Sequence, residues 1–178
     1  MSISSTVLDS FKEHSIVLLL GDTGNGKTYT TFKMIEHDIA NDCFWILVTH
    51  DAINVKSYLP GQTPLTQELG DLEFDPGIAI PQVVLTENLS SGTNASEFVK
   101  FIIWITNRLE PGKFTLYIDD APNEVTIELM DILQKYGTLD ELNIKLLVTD
   151  YGDLLKFLIE SKQSVSAILL GSRQHEKY

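Results

Sequence analysis

Residues Ile16 to Thr28 read IVLLLGDTGNGKT, and the rest of the chain is organised around them. The short apolar run Ile16 to Leu20 predicts a buried strand. It leads without a spacer into Gly21-Asp22-Thr23-Gly24-Asn25-Gly26-Lys27-Thr28, a complete match to G-x-x-x-x-G-K-T. Glycines at this spacing let the backbone wrap around a polyphosphate, so that successive N–H groups point inward at phosphate oxygens. Lys27 then places a positive charge on the terminal phosphates. The Thr28 hydroxyl is placed for Mg²⁺, and the helix starting there directs its positive end at the anion. An ordinary glycine-rich turn would not require the strand before it or the helix after it.

The flanking sequence supplies both. Thr28 to Asn41 carries Phe32, Ile35 and Ile39 at helical spacing. Cys43 to Thr49 is the next expected strand, and His50-Asp51 follows at the edge where α/β sheets place ligands. The competing reading of that pair is a solvated loop. Upstream, Thr6 to His14 reads as a short structural helix. Pro60 to Pro81 holds most of the prolines and little apolar periodicity, so it reads as an irregular excursion, either an oligomer or substrate surface or a variable loop.

Val83 to Thr86 is a short strand, Ser90 to Thr93 a turn, and Asn94 to Leu109 a helix. Phe98, Phe101, Ile102, Trp104 and Ile105 lie on several sides of that helix, which implies deep burial or a subunit contact. Phe114 to Ile118, Ile144 to Val148 and Ala167 to Leu170 are further strands, with helices at Glu124 to Tyr136 and Gly152 to Ser161. Short apolar strands alternating with helices specify an α/β fold with a mostly parallel sheet and helices on both faces.

At 178 residues and 43% apolar content the chain is expected to form one domain spanning 1–178. No apolar run reaches the roughly 18 residues needed to cross a bilayer, and the start MSISSTVLDSFKEHS lacks a signal-type segment, so no membrane span and a cytoplasmic location are expected. The lone Cys43 forbids an internal disulfide and reads as a small buried residue. Thirteen basic against 25 acidic residues give a formal charge of −12, which opposes strong binding of a phosphate backbone by an isolated subunit. Patches formed in an oligomer escape that argument.

A phosphate loop needs a metal anchor, and FTLYIDD at 114–120 has the expected form: an apolar strand, then a carboxylate at the sheet's carboxyl edge. Asp119 is the candidate for holding Mg²⁺, which favours hard oxygen donors and keeps several waters. Asp120 is then placed to polarise the attacking water. The structural alternative is a pair of turn carboxylates. No N-K-x-D sequence occurs, so the guanine-reading element of GTPases is missing and ATP is the expected nucleotide. Small-molecule kinases clamp phosphoryl groups with several lid arginines, and this chain has two arginines in all, Arg108 and Arg173.

The order of these pieces resembles the FtsK/HerA superfamily of ring-forming ATPases, which includes DNA pumps, conjugative coupling proteins and viral genome-packaging motors. GDTGNGKT, LYIDDAPNE, KLLVTDYGDLL and AILLGSR carry the resemblance. It implies a three-layer P-loop NTPase fold, binding and hydrolysis of Mg-ATP, a homo-oligomeric ring, DNA as a partner in the assembled state and, for a viral protein, a place inside the infected host cell. It also implies that Ile144 to Val148 lies between the loop strand and Phe114 to Ile118, because the family's polar sensor ends that strand.

Thr149 takes the sensor position, where glutamine is common in the family. Asp120 replaces the usual glutamate and is one methylene shorter. The arginine often found before the sensor strand has no counterpart, leaving Arg173 and Arg108 as candidate fingers across a subunit boundary; the alternative for each is a surface arginine. These departures keep a second reading open, a nucleotide-controlled binding or assembly module with little turnover.

Overall fold

The computed structural model describes residues 16–21, 24, 26–50, 52–58, 83–89, 92–110, 112–119, 121–136, 143–148, 152–163 and 165–169. The expected helix at Thr6 to His14 and the excursion at Pro60 to Pro81 lie outside them. Within them the chain runs β1 (Ile16–Leu20), α1 (Lys27–Ala40), β2 (Phe44–Thr49), α2 (Ala52–Tyr58), β3 (Val83–Leu85), a 3₁₀ turn (Thr86–Leu89) and α3 (Gly92–Thr106). It continues with β4 (Phe114–Asp119), α4 (Asn123–Lys135), β5 (Asn143–Val148), α5 (Gly152–Glu160) and β6 (Val165–Leu169).

The strands form a six-stranded sheet in the order β3-β2-β4-β5-β1-β6, and the pairs are parallel. β5 therefore separates the loop strand β1 from β4, as the sequence predicts. Ile16 pairs with Ile144, and Leu116 pairs with the same Ile144 from the other side.

Both faces are apolar because both are covered, which explains strands that read as continuous hydrophobic runs. On one face Ile16, Leu18, Ile46, Val48, Leu116 and Ile118 pack with buried residues of α3, α4 and α5, among them Phe98, Phe101, Leu129 and Leu158. The several-sided apolar surface of α3 is thus largely spent inside the molecule, against the sheet and α4. On the other face Val17, Leu19, Trp45, Leu47 and Tyr117 pack with Phe32, Met34 and Ile35 of α1 and Val55 of α2. No helix of the described residues is long and apolar enough to cross a membrane.

This second face also carries a deep polar link. Asp38, near the end of α1, is buried, and it accepts a hydrogen bond from the Tyr117 hydroxyl at 2.7 Å. Burial first, and then the Asp38 carboxylate, push the Tyr117 phenol well above its ordinary value of 10. The unfolded chain releases that proton near pH 10 while the folded one holds it, so the pair's stabilisation is complete below pH 10 and is lost as pH rises beyond it. Tyr117→Phe removes the donor and leaves a buried carboxylate short of a partner. We expect it to cost about 1–3 kcal/mol at neutral pH in urea melts, and to remove this part of the alkaline loss.

Two local expectations are corrected, and one helix went unread. After the exposed His50, residues Ala52–Tyr58 form α2, a stretch for which the sequence suggested no element. Its Val55 is buried and its Tyr58 stacks on Phe32 of α1 with ring centroids 4.7 Å apart, so tertiary contact holds a helix too short to persist alone. Strand β6 begins at Val165, two residues earlier than expected, because Val165 and Ser166 pair with Ile16 and Val17. Cys43 is half-buried rather than core, and its thiol donates to the Asn41 carbonyl at 3.7 Å. Partial burial, reinforced by Asp38, pushes that thiol up, which keeps it protonated and unreactive.

Candidate functional site: a phosphate loop facing a carboxylate

β1 delivers Gly21 to the carboxyl edge of the sheet, and α1 departs from the same edge six residues later. Gly24 and Gly26 between them have φ of +86° and +81°. A Cβ at either position would meet nothing within 4 Å, so what these glycines supply is left-handed backbone rather than space. Gly26 immediately precedes α1 and offers no side-chain cap, and the first turn contains no acidic residue. The leading amides of the helix and its positive end are therefore directed toward the loop.

The hydroxyls of this turn divide their roles. Thr30 and Thr31 donate back to the carbonyls of Gly26 and Lys27, at 2.9 and 3.2 Å. Thr28 instead donates across the site to Asp119 Oδ1 at 3.3 Å. Ninety-one positions separate these two residues in sequence, and they are the two that sequence reasoning assigned to the metal. Asp119 is the last residue of β4 and is buried.

A hydroxyl and a carboxylate in contact form a hard-oxygen donor pair that fits Mg²⁺, an ion typically held by one or two protein groups together with waters and substrate phosphates. Among the described residues no group of three or more His, Cys, Asp or Glu gathers as a metal cage. Lys27 Nζ donates to the Gly21 carbonyl at 2.6 Å, folding the side chain back across the loop. Lys27 is consequently buried, whereas the motif alone suggests an exposed loop charge.

Several candidates lie outside the described residues: Asp22, Thr23 and Asn25 of the loop, Asp120, expected to polarise water, Thr149, expected as the sensor, Asp51 and Arg173. What the fold provides is the strand that leads to Thr149, since Val148 pairs with Leu20 directly before Gly21. Arg108 follows α3 near the opposite edge of the sheet. Its guanidinium stacks 3.9 Å from the Trp104 ring, and Nη1 donates to the Trp104 carbonyl at 2.8 Å, which is the behaviour of a surface arginine with local partners. His50 is exposed at the end of β2.

One buried residue at the site went unread in the sequence. Thr49 ends β2 and pairs in register with Asp119. The available signal was a hydroxyl on the α1-facing side of FWILVT, after Trp45 and Leu47.

The strand order, with β5 inserted between the loop strand and the carboxylate strand, excludes the layout in which those two pair directly, as they do in kinase-like and GTPase-like sheets. The fold is that of a P-loop NTPase. Solved structures agree. The genome packaging NTPase B204 from Sulfolobus turreted icosahedral virus 2, in complex with sulfate, is similar at 21% identity and a TM-score of 0.54, over 90% of this chain and 75% of that one. Its complex with AMP gives 16% identity and a TM-score of 0.58, over 90% and 76%. The AMPPCP complex gives 18% and 0.59, over 89% and 76%. At these identities the likeness is one of fold. No family model matches the chain, and no curated protein matches it in sequence.

Proposed function

We propose that this chain binds Mg-ATP at the Gly21–Thr28 loop and hydrolyses it as the subunit of a small ring motor that moves DNA, of the genome-packaging or translocation kind. The observation that carries the reading is the contact of Thr28 with Asp119 beside an anion-receptive helix start. The similar fold of B204, a packaging NTPase solved with AMP and AMPPCP, supports it.

In this reading the loop amides and Lys27 bind the terminal phosphates and hold charge that develops in the transition state. Lys27 exchanges its bond to the Gly21 carbonyl for phosphate oxygens. Thr28 and Asp119 are the residues that would hold Mg²⁺, which when bound neutralises charge on the phosphates. Asp120 orients and polarises water for in-line attack, Thr149 contacts the terminal phosphate, and Arg173 reaches a neighbouring subunit's site.

A second reading is a nucleotide-controlled assembly module with little turnover. The charge of −12 and the shorter Asp120 favour it. Both readings require nucleotide binding, so calorimetric titration of the protein with ATP in Mg²⁺ comes first. Saturable binding of one ATP per chain is expected; no heat and no competition by ADP would remove both.

A further inference from the structure

The start of α4 carries a buried polar atom that the nucleotide reading does not use. Along α4 the buried positions are Thr126, Leu129, Met130 and Leu133, spaced as one face of a helix. The last three belong to the core packed under the sheet, and Thr126 tops that stripe at 1% exposure. Among the described residues, its Oγ1 is the buried side-chain nitrogen or oxygen without a hydrogen-bond partner. Other helix hydroxyls are engaged locally: Thr30, Thr31 and Thr106 donate to carbonyls about one turn back. The equivalent acceptor for Thr126 is the Pro122 carbonyl, which takes the Thr126 amide at 3.1 Å and not the hydroxyl.

A second gap lies at the same place. α4 begins after Pro122, which provides no side-chain cap, and the amides of Asn123, Glu124 and Val125 precede the ladder bond made by Thr126. Asn123 and Thr126 share one side of the helix, and a helical side chain leans back over the preceding turn, which brings the hydroxyl toward the Asn123 amide. Valine, of the same shape, would complete the stripe with Leu129 and Met130 if packing were the whole requirement, and a bare buried hydroxyl is costly. A buried polar group with no protein partner is the mark of an internal water, which makes roughly three hydrogen bonds. An anion suits the place poorly, because Glu124 brings negative charge to the same turn and Thr126 is almost fully enclosed. We propose that the start of α4 is a water site, in which one ordered water accepts hydrogen bonds from the Thr126 hydroxyl and the Asn123 amide. The water caps a helix whose own N-cap residue cannot, and it fixes where α4 begins after the short link that follows Asp119.

High-resolution crystal structures of the whole chain, as wild type, Thr126→Ser and Thr126→Val, test this. Wild type and Thr126→Ser should each show a water at about 2.7–3.2 Å from both the side-chain hydroxyl at position 126 and the Asn123 nitrogen. Thr126→Val should lose it. A wild-type structure with no water between these two groups overturns the proposal, as does one in which the Thr126 hydroxyl bonds directly to a protein group. A water that persists unchanged in Thr126→Val overturns it too, since the helix end would then hold it without the hydroxyl. The first two overturning results are read from wild type alone, so the test still decides if Thr126→Val fails to fold.

Discussion

Lys27→Ala should weaken Mg-ATP binding by roughly tenfold to a hundredfold, the worth of a charge-assisted hydrogen bond of about 1.5–3 kcal/mol. The ammonium donates to the Gly21 carbonyl, and phosphate oxygens are far stronger acceptors for it than a neutral carbonyl. Alanine is the best helix former, so α1 should still start at this position. Burial of the lysine stem predicts a small drop in melting temperature alongside the loss of binding. Calorimetry on a variant with an unchanged circular dichroism spectrum decides the matter. ATP affinity equal to wild type in that folded variant would place the nucleotide elsewhere.

Asp120→Asn should leave ATP affinity within a few-fold of wild type and cut turnover by about 10²–10⁴, the usual contribution of a positioned general base. Asparagine keeps the shape and loses the charge that polarises water, while binding depends on the loop, Lys27, Thr28 and Asp119. Steady-state phosphate release, measured beside binding on the same preparation, separates the two effects. Equal turnover in Asp120→Asn would remove Asp120 from the mechanism.

The inner architecture was legible because each strand between two helical layers must be apolar on both faces, and IVLLL, FWILV and FTLYI satisfy that in sequence alone. Their neighbour order was legible through the resemblance, which demands a sensor strand beside the loop strand. The Thr28–Asp119 contact was legible as a pair of roles, since a phosphate loop and a carboxylate after an apolar strand converge wherever a parallel sheet presents its carboxyl edge. Other features depend on contacts that local sequence does not encode. α2 is anchored by the buried Val55 and by Tyr58 lying on Phe32. The early start of β6 comes from pairing with β1, which holds Ser166 in a strand that its polarity does not announce. Thr49 has no motif of its own; its place beside Asp119 is visible only in the strand register. Asp38 reads as a surface charge until Tyr117 is seen against it.

The claim that the chain works as an assembled motor is tested most directly by ATP turnover per subunit over a wide range of protein concentration, with and without double-stranded DNA. In the proposed motor, transition-state charge would be met by an arginine from a neighbouring subunit, with Arg173 the candidate ahead of Arg108, which is engaged by Trp104; such a finger is worth about 10³–10⁵ where it acts. Specific activity should therefore climb with concentration, level off as rings form, and rise further on DNA. Specific activity that stays constant from dilute to concentrated protein would contradict the account, and absence of turnover at every concentration with ATP binding intact would leave the nucleotide-controlled assembly module in its place.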